Sequence, residues 1–572
     1  VSYLKKLKAA KDRKELAKLL GYEPSSLTAI IYMTPLPAKY STFDIPKKNG
    51  GVRTIKAPEP KLKKLQTHLA HLLQACLVEI EADKLSRPVS FGFRKKGRIT
   101  DNAKVHKGRR YVLNIDLADF FPSFHFGRVR GFFLKDKNFE LSDQVATTIA
   151  QIACDGAALP QGSPCSPVIS ELIGHVLDVR LLRLSKKHHV TYSRYADDIT
   201  FSTNNKAFPT ALASQDPADP AKWVLGDELI NKVQNSGFQI NPAKTRMSCR
   251  GSRQMVTGLV INSKVNIKSE YYRNARAMCD SLFQKGWYFR DSTPPVEDGD
   301  PPTPNYIISL SPLEGILSFA YNITQSEDRR EIAEQRKKPR AIRELYRRFL
   351  FYKYCVAPSQ PLLITEGKTD PIYLREAIIR RTAYHPTLGT FGPTGFKFAI
   401  RFFNYEGQVH EIMDLGGGTG DLKSVPMDYL RNFKPYRKRK PFKHKPMQHP
   451  VIIVLDNDKG LQGVASFLKE NFDTIISLTT KNNFYHIIEN LYVIKTPESS
   501  PMTCIESMFP KIWLKHSLNG KTFNPDKPDI TKEFGKEIFA KSVVKPNAGS
   551  IDFSGFDPFL DRIIAVFNHF YG

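Results

Sequence analysis

Two strand-like runs, Val190 to Tyr195 and Ile199 to Ser202, flank the tripeptide Ala196-Asp197-Asp198. β-Branched and aromatic residues on both sides of so short an interruption predict a hairpin, with two adjacent carboxylates at its tip. Carboxylates so close repel one another unless cations bridge them. A third carboxylate belongs with them: Tyr111 to Ile115 (YVLNI) reads as a buried strand that ends on Asp116. Phosphodiester synthesis uses two divalent cations roughly 3.5–4 Å apart. Magnesium takes oxygen ligands and keeps some of its waters. Asp116, Asp197 and Asp198, gathered at strand ends, suit that chemistry.

At 572 residues the chain is too long for one hydrophobic core, so two or more domains are expected. The formal net charge of +28 points to a polyanionic partner, most simply nucleic acid. No stretch reaches the roughly 18–20 continuous apolar residues of a membrane span, and no membrane partner is expected. The stretch from Val1 to Lys14 is basic and amphipathic, without the apolar block of a signal peptide. Seven scattered cysteines without C-x-x-C spacing argue against a disulfide framework or a zinc site. A reducing, intracellular location follows, the bacterial cytoplasm for the family named below.

Three segments interrupt the pattern. Asp216 to Ala221 (DPADPA) reads as a surface insertion, and Asp291 to Asn305 as a proline-rich, acidic, disordered loop. Arg431 to Lys445 is basic with interleaved aromatics, either a solvated loop or a nucleic-acid contact. Ser311-Pro312-Leu313-Glu314 has the pattern of a capping box. Leu313, Ile316, Leu317 and Ala320 then share a helical face, and Arg340 to Tyr354 reads as an arginine-dense helix. A change of character near Ala357-Pro358 places a domain boundary there.

Tyr195-Ala196-Asp197-Asp198 resembles the signature tetrad of reverse transcriptases. Asp116 with Phe121 resembles their first palm motif, in which the aromatic is a steric gate against the ribonucleotide 2′-hydroxyl. Leu159 to Pro164 (LPQGSP), with Gln161, resembles the loop that supports the incoming nucleotide. Gly237 to Lys244 (GFQINPAK) resembles the next motif, which implies Lys244 near the triphosphate. Asn102-Ala103-Lys104-Val105-His106 and Val256-Thr257-Gly258 are similar to the N-A-x-x-H and V-T-G elements of retron reverse transcriptases. The resemblance implies RNA binding through Asn102, His106, Val256, Thr257 and Gly258, although His106 read by itself is either an RNA contact or a piece of architecture. It further implies dNTP substrates, Mg2+ at the polymerase site, and a cognate structured non-coding RNA as primer and template. The product would be a branched msDNA, primed from a guanosine 2′-hydroxyl.

A second acidic set follows. Gln360 to Thr365 ends on Glu366, with Asp370-Pro371 opening a helix that buries Tyr373, Leu374, Ala377 and Ile378 on one face. Val451 to Leu455 (VIIVL) is an all-apolar run of the kind buried in a parallel sheet, and it ends on Asp456-Asn457-Asp458. Carboxylates at the C-terminal ends of parallel strands lie where α/β folds bind ligands. The E-G-x-x-D and D-x-D-x-G pattern resembles the TOPRIM fold, and Ile505-Glu506 its later acidic element, with Ser507 in place of the usual acidic neighbour. The resemblance implies catalysis by Glu366, Asp456 and Asp458 and a second Mg2+ or Mn2+ held by these with Asp370 and Glu506. Asp370 before proline is equally an ordinary helix N-cap, and Lys541 is a candidate downstream lysine by position alone. Gly416 to Gly420 ahead of Lys423-Ser424 is not a phosphate loop, because Leu422 stands where the glycine before the lysine must be.

The expected fold is thus multidomain, α+β and α/β. It comprises an N-terminal helical segment (1–30), right-hand polymerase fingers and palm (31–266), a helical thumb (267–357) and a Rossmann-like TOPRIM domain (358–572). The C-terminal domain is read as a nuclease effector acting on cellular RNA or DNA and restrained by the RNA–DNA product in anti-phage defence. The alternatives are processing of the retron's own nucleic acid, a non-catalytic scaffold, and an RNase H-like domain. A homo-oligomer is a further possible partner state.

Overall fold

Four strands, β1 (Tyr111–Ala118), β2 (Thr191–Tyr195), β3 (Asp198–Thr203) and β4 (Gln239–Cys249), pair antiparallel in the order β2-β3-β1-β4 in this computed structural model. Central β1 buries Val112, Leu113, Ile115 and Leu117, as its apolar run predicts. The structure describes all residues except 1, 48–49, 83–87, 96, 220–221, 290–305, 417, 435–439 and 526–527. The acidic proline-rich loop to Asn305 therefore lies outside the described residues, as do parts of the Asp216, Gly416 and Arg431 segments.

The chain divides into two units, Val1–Lys268 and Ser269–Gly572. The first is mixed α/β. Three short helices span Tyr3–Ala9, Arg13–Leu19 and Pro24–Thr28, and a hairpin pairs Tyr40–Pro46 with Val52–Pro58. Helices Ile99–Val105 (α1) and Ser166–Lys187 (α2) both contact β2. Arg194 of β2 is fully buried and bidentate to Asp178 of α2, at 2.7 Å for both bonds. It also donates to Glu171 at 3.1 Å and to the Ala196 carbonyl at 3.2 Å, so one guanidinium ties the hairpin tip to the helix. A buried charge is tolerable only when paired and fully bonded in this way.

The second unit contains helices Ile332–Lys337 (α3) and Ala341–Phe351 (α4) and a five-stranded sheet. Its strands are β5 (Leu362–Ile364), β6 (Arg401–Phe402), β7 (Val451–Leu455), β8 (Tyr485–Ile488) and β9 (Leu491–Lys495), ordered β6-β5-β7-β9-β8. All neighbours are parallel except β8, which runs antiparallel to β9. Every residue of β7 is buried, as the run VIIVL predicts. Helix Asp370–Arg380 (α5) buries Tyr373, Leu374, Ala377 and Ile378. Helices Thr419–Leu422 (α6) and Ser424–Phe433 (α7) precede β7.

The division after Lys268 agrees with the boundary expected between palm and thumb at 266/267, whereas the one expected at Ala357-Pro358 does not separate two units. The reason is electrostatic: Arg343 of α4 donates to Asp414 at 2.8 Å, and Arg347 bonds both Asp414 and, at 2.9 Å, Asp428 of α7. Arg343 and Arg347 of the expected arginine-dense helix are thus engaged within their own unit. The capping box at Ser311 does not form either. That helix runs Leu310–Gln325, Ser309 takes the N-cap position without a side-chain bond, and Glu314 pairs with Lys353 at 2.6 Å. Its face of Leu313, Leu317 and Ala320 is buried as expected. The seven cysteines are all unpaired, and among the described residues no helix is long and apolar enough to cross a membrane.

Candidate active sites

Asp116 lies directly opposite Asp198 in the β1–β3 pairing, and the Leu117 N–H donates to the Asp197 carbonyl at 3.0 Å. The hairpin closes through Ala196 and Asp197 alone, with Ala196 at φ 56°. That left-handed value is uncommon for a residue with a Cβ. Gly92 packs against the turn so closely that a Cβ there would meet the Ala196 nitrogen at 2.5 Å. Crowding by surrounding protein, and then the charges of Asp197 and Asp116, push the Asp198 carboxyl up to about 6. Burial first and Asp116 next raise Asp197 as well.

Opposite Ile115 the β1–β4 register shifts, so that Asn114 pairs with Arg246 but Asp116 with Asn241. Lys244 sits in that bulge and turns back onto Asp116, 2.9 Å from each carboxylate oxygen. Bulges commonly re-aim side chains next to active sites. The bond to Asp116 is the main reason the Lys244 ammonium stands above the ordinary lysine range. Phe121 lies in the turn after β1, half-buried between Phe93 and Phe120. The Gln161 carbonyl accepts the Lys56 N–H at 2.8 Å, which fixes the loop from Leu159 to Pro164 to the N-terminal hairpin.

The structure corrects the RNA-contact reading of Asn102 and His106. Asn102 is 1% exposed and His106 is wholly buried. The His106 ring bridges Ser202 of β3 through Nδ1 and Ser193 of β2 through Nε2, each at 2.7 Å. The Ser193 hydroxyl has one proton and gives it to the Asn102 amide oxygen. His106 Nε2 must therefore carry the proton that Ser193 accepts, and Nδ1 accepts from Ser202. Burial, with Arg109 second, holds this imidazole down at about 3, so it stays neutral. Val256 is also buried; Thr257 is half-buried at φ 46°, and Gly258 is exposed.

In the second unit, β5 and β7 are adjacent and parallel, which sets Glu366 and Asp456 just past neighbouring strand ends. A bridge between Asn457 and Thr503 brings the following turn over them, and the Ile505 N–H donates to Asp456 Oδ1 at 3.1 Å. Asp370, 5% exposed, accepts the Gly367 N–H at 2.8 Å, while Thr369 takes the N-cap position. Glu506 is 2% exposed. Burial first, then Asp370, Glu366 and Glu506, push the Asp456 carboxyl up to about 8. Burial and the neighbours Glu506 and Glu366 push Asp370 up to about 7. Two buried oxygens of this set, Glu366 Oε2 and Glu506 Oε1, have no hydrogen-bond partner. Orphaned acceptors among mutually repelling carboxylates are what a bound cation would satisfy.

Lys536 was not anticipated. It bonds Glu506 Oε2 at 3.1 Å; burial alone would lower its ammonium, but Glu506, Asp456 and Asp370 hold it well above the ordinary lysine range. Its one sequence signal is a lysine downstream of Glu506, and Lys541 offers the same signal. Lys541 instead pairs with Glu537 on the surface, at 2.7 Å. Asp458 is engaged locally, accepting the Gly460 N–H at 2.7 Å. A Cβ at Gly460 would meet Thr419 Oγ1 at 2.6 Å and Asp458 Oδ1 at 3.0 Å, so the start of α6 lies against the Asp458 turn. Among the described residues, no three His, Cys, Asp or Glu side chains close to ion-binding spacing as they stand.

Comparison with known proteins gives a consistent picture for the first unit. The family model described as "Reverse transcriptase (RNA-dependent DNA polymerase)" matches residues 45–275. The retron Mx162 reverse transcriptase of Myxococcus xanthus is 31% identical over 56% of this chain and 65% of its own length. The retron Mx65 enzyme of the same organism is 35% identical over 42% of this chain and 55% of its own. The retron Ec86 reverse transcriptase of Escherichia coli is 34% identical over 47% of this chain and 77% of its own. The chain thus spans less than two thirds of the two Myxococcus relatives.

Proposed function

Because the chain belongs to the retron reverse transcriptase family, we propose that its first unit is an RNA-directed DNA polymerase that copies part of a cognate structured RNA into branched msDNA. The observation that carries this is the opposition of Asp116 to the Asp197-Asp198 tip on adjacent strands. These three aspartates fit a divalent pair: burial and then their mutual repulsion raise two of the carboxyls, and the Lys244 ammonium supplies a positive charge at the third. They are the residues that would hold Mg2+, which when bound activates the attacking hydroxyl and stabilises charge on the transferred phosphate. Lys244 exchanges Asp116 for a phosphate oxygen of the dNTP. Phe121 blocks a 2′-hydroxyl, and the Gln161 loop supports the nucleotide. Arg194 and His106 hold the hairpin in register. Primer extension by Asp197→Asn and Asp198→Asn proteins tests the assignment, and near-normal extension by either overturns it.

For the second unit we propose a TOPRIM-like nuclease site in which Glu366, Asp370, Asp456 and Glu506 would hold Mg2+ or Mn2+ and Lys536 offsets their charge. The two orphaned carboxylate oxygens support this reading, and a sheet that is parallel in all but one edge strand favours TOPRIM over an RNase H-like arrangement, whose first three strands are antiparallel. The target is a cellular RNA or DNA, and the RNA–DNA product made by the first unit restrains the site, as in a cytoplasmic bacterial defence system. Expressing wild type, Asp197→Asn, Glu366→Gln and the double variant, and measuring msDNA and growth, tests this. Growth arrest by Asp197→Asn that Glu366→Gln relieves is expected; toxicity that persists in Glu366→Gln removes the nuclease.

A further inference from the structure

A cleft of about 700 Å³ opens within the second unit, walled by α3 and α4 on one side and by α6 and α7 on the other. Eight arginine or lysine side chains line it against four carboxylates, a surplus of four positive charges. The charges fall into two classes. Deep in the cleft, Arg336, Arg343 and Arg347 converge on the single carboxylate of Asp414, and Arg347 also reaches Asp428. These pairs fix the walls. Around them Lys337, Lys423 and Lys434 are exposed and have no ion-pair partner among the described residues. Three free ammonium groups facing one concavity repel each other and attract a multiply charged anion, and the backing guanidiniums reinforce the field.

The cleft also has a direction. Its wall α6 begins at Thr419, which abuts the Asp458 turn, and a Cβ on the preceding Gly418 would lie 3.9 Å from Glu366 Oε1. The same four-residue helix therefore borders the second acidic site at its start and the basic cleft at Gly420 and Asp421. A linear polyanion with one phosphate at the carboxylates has its next phosphates led along α6 toward the lysines.

We propose that this cleft is the backbone-binding groove of the second unit, taking the phosphodiester chain that flanks the phosphate presented to Glu366 and Asp456. The proposal rests on the reading of that acidic site as one that acts on nucleic acid. Recognition through lysine is by charge and is indifferent to base sequence. RNA and DNA share the chemistry.

The test is a lysine footprint on the full chain in metal-free buffer, where cleavage does not intervene. Wild-type and Glu366→Gln proteins are acetylated with and without a single-stranded DNA or RNA oligonucleotide, and in a third arm with an acidic peptide. Several-fold slower modification of Lys337, Lys423 and Lys434 with either oligonucleotide, relieved by high salt, is the expected result. The two oligonucleotide arms identify the source. Protection in a protein that cleaves nothing once metal is restored supports the groove while removing the nuclease. Equal modification with and without oligonucleotide overturns the groove, whether or not the enzyme cleaves. Protection by the peptide alone overturns it as well.

Discussion

The ammonium of Lys244 sits 2.9 Å from both carboxylate oxygens of Asp116, in a bulge that interrupts the strand register at that point. A charge-assisted contact of this kind contributes about 1.5–3 kcal/mol, and in the proposed reaction it is exchanged for a contact to the nucleotide phosphates. Lys244→Ala is expected to weaken dNTP use on the order of 10- to 100-fold in kcat/KM, the equivalent of that energy. Primer–template binding should stay near wild type. Steady-state extension kinetics at several dNTP concentrations check both; unaltered kinetics would detach Lys244 from the nucleotide.

The Asp198 carboxyl, pushed up to about 6, must be ionised to take a cation. DNA synthesis should therefore fall on acidification through about pH 6, with the midpoint moving lower as Mg2+ is raised. The stability sign is opposite. A carboxyl raised in the fold destabilises it once pH exceeds the unfolded value, so the penalty develops from about pH 4 and is complete above about pH 6. Metal-free Asp198→Asn should melt above wild type at pH 7 while making no DNA. A lower melting temperature at pH 7 would contradict the repulsion.

Removal of the His106 ring leaves two buried hydroxyls, Ser193 and Ser202, short of partners. Each unsatisfied group costs about 1–3 kcal/mol, and His106→Ala should lose stability of that order along with DNA synthesis. His106→Gln should recover part of both. The folded imidazole titrates at about 3 and the unfolded one near 6.5. Its contribution is thus complete above pH 6.5 and lost as pH falls toward 3, by up to about 1.4 kcal/mol per unit. Denaturation against pH should show a shallower acid slope in His106→Gln. RNA affinity of the folded Gln variant, measured by filter binding, should equal wild type; a selective loss would restore the direct-contact reading.

In the second site, Asp370 and Asp456 rise to about 7 and about 8 as members of one coupled set. Their repulsion is absent below about pH 4 and develops as pH rises through those values. Mg2+ or Mn2+ should accordingly raise the melting temperature more at pH 8 than at pH 6, since a ligand bound to the folded state stabilises it by mass action. Glu366→Gln with Asp456→Asn should melt higher without metal and respond to metal weakly. An unchanged metal response in that double variant would place the ion elsewhere.

Phe121 is expected to exclude ribonucleotides by bulk. Phe121→Val should raise rNTP incorporation relative to dNTP, with modest loss of dNTP use, in single-nucleotide extension. Unaltered selectivity would move the gate to another residue.

Short apolar runs ending on acids were legible in sequence because the period and the terminal charge coincide, as in Tyr111–Asp116 and Val451–Asp456. Side-chain partners were not. The N-A-x-x-H pattern gives no sign that His106 is enclosed by hydroxyls from two strands, because burial there depends on pairings about ninety residues away. Lys536 and Lys541 look alike in sequence, but Lys536 opens the helix Lys536–Ile538 and reaches Glu506, whereas Lys541 lies in the following turn Phe539–Val544 and pairs with Glu537. The partners of the α4 arginines were likewise illegible, since Asp414 and Asp428 lie some seventy to eighty residues downstream.

Those arginines bear on how this protein can be taken apart or recombined. Asp428 is 3% exposed and Asp414 is shared by three guanidiniums. Without α3 and α4, Asp414 loses all three and Asp428 keeps only Arg431, at 3.5 Å; breaking a buried pair costs about 3–5 kcal/mol, a large share of a domain's total stability. A fragment cut at the start of β5 would inherit that debt, whereas one cut at Ser269 carries its counter-charges with it. The helices before the sheet therefore travel with it, and a chimera that exchanges this sheet for another must be joined upstream of them.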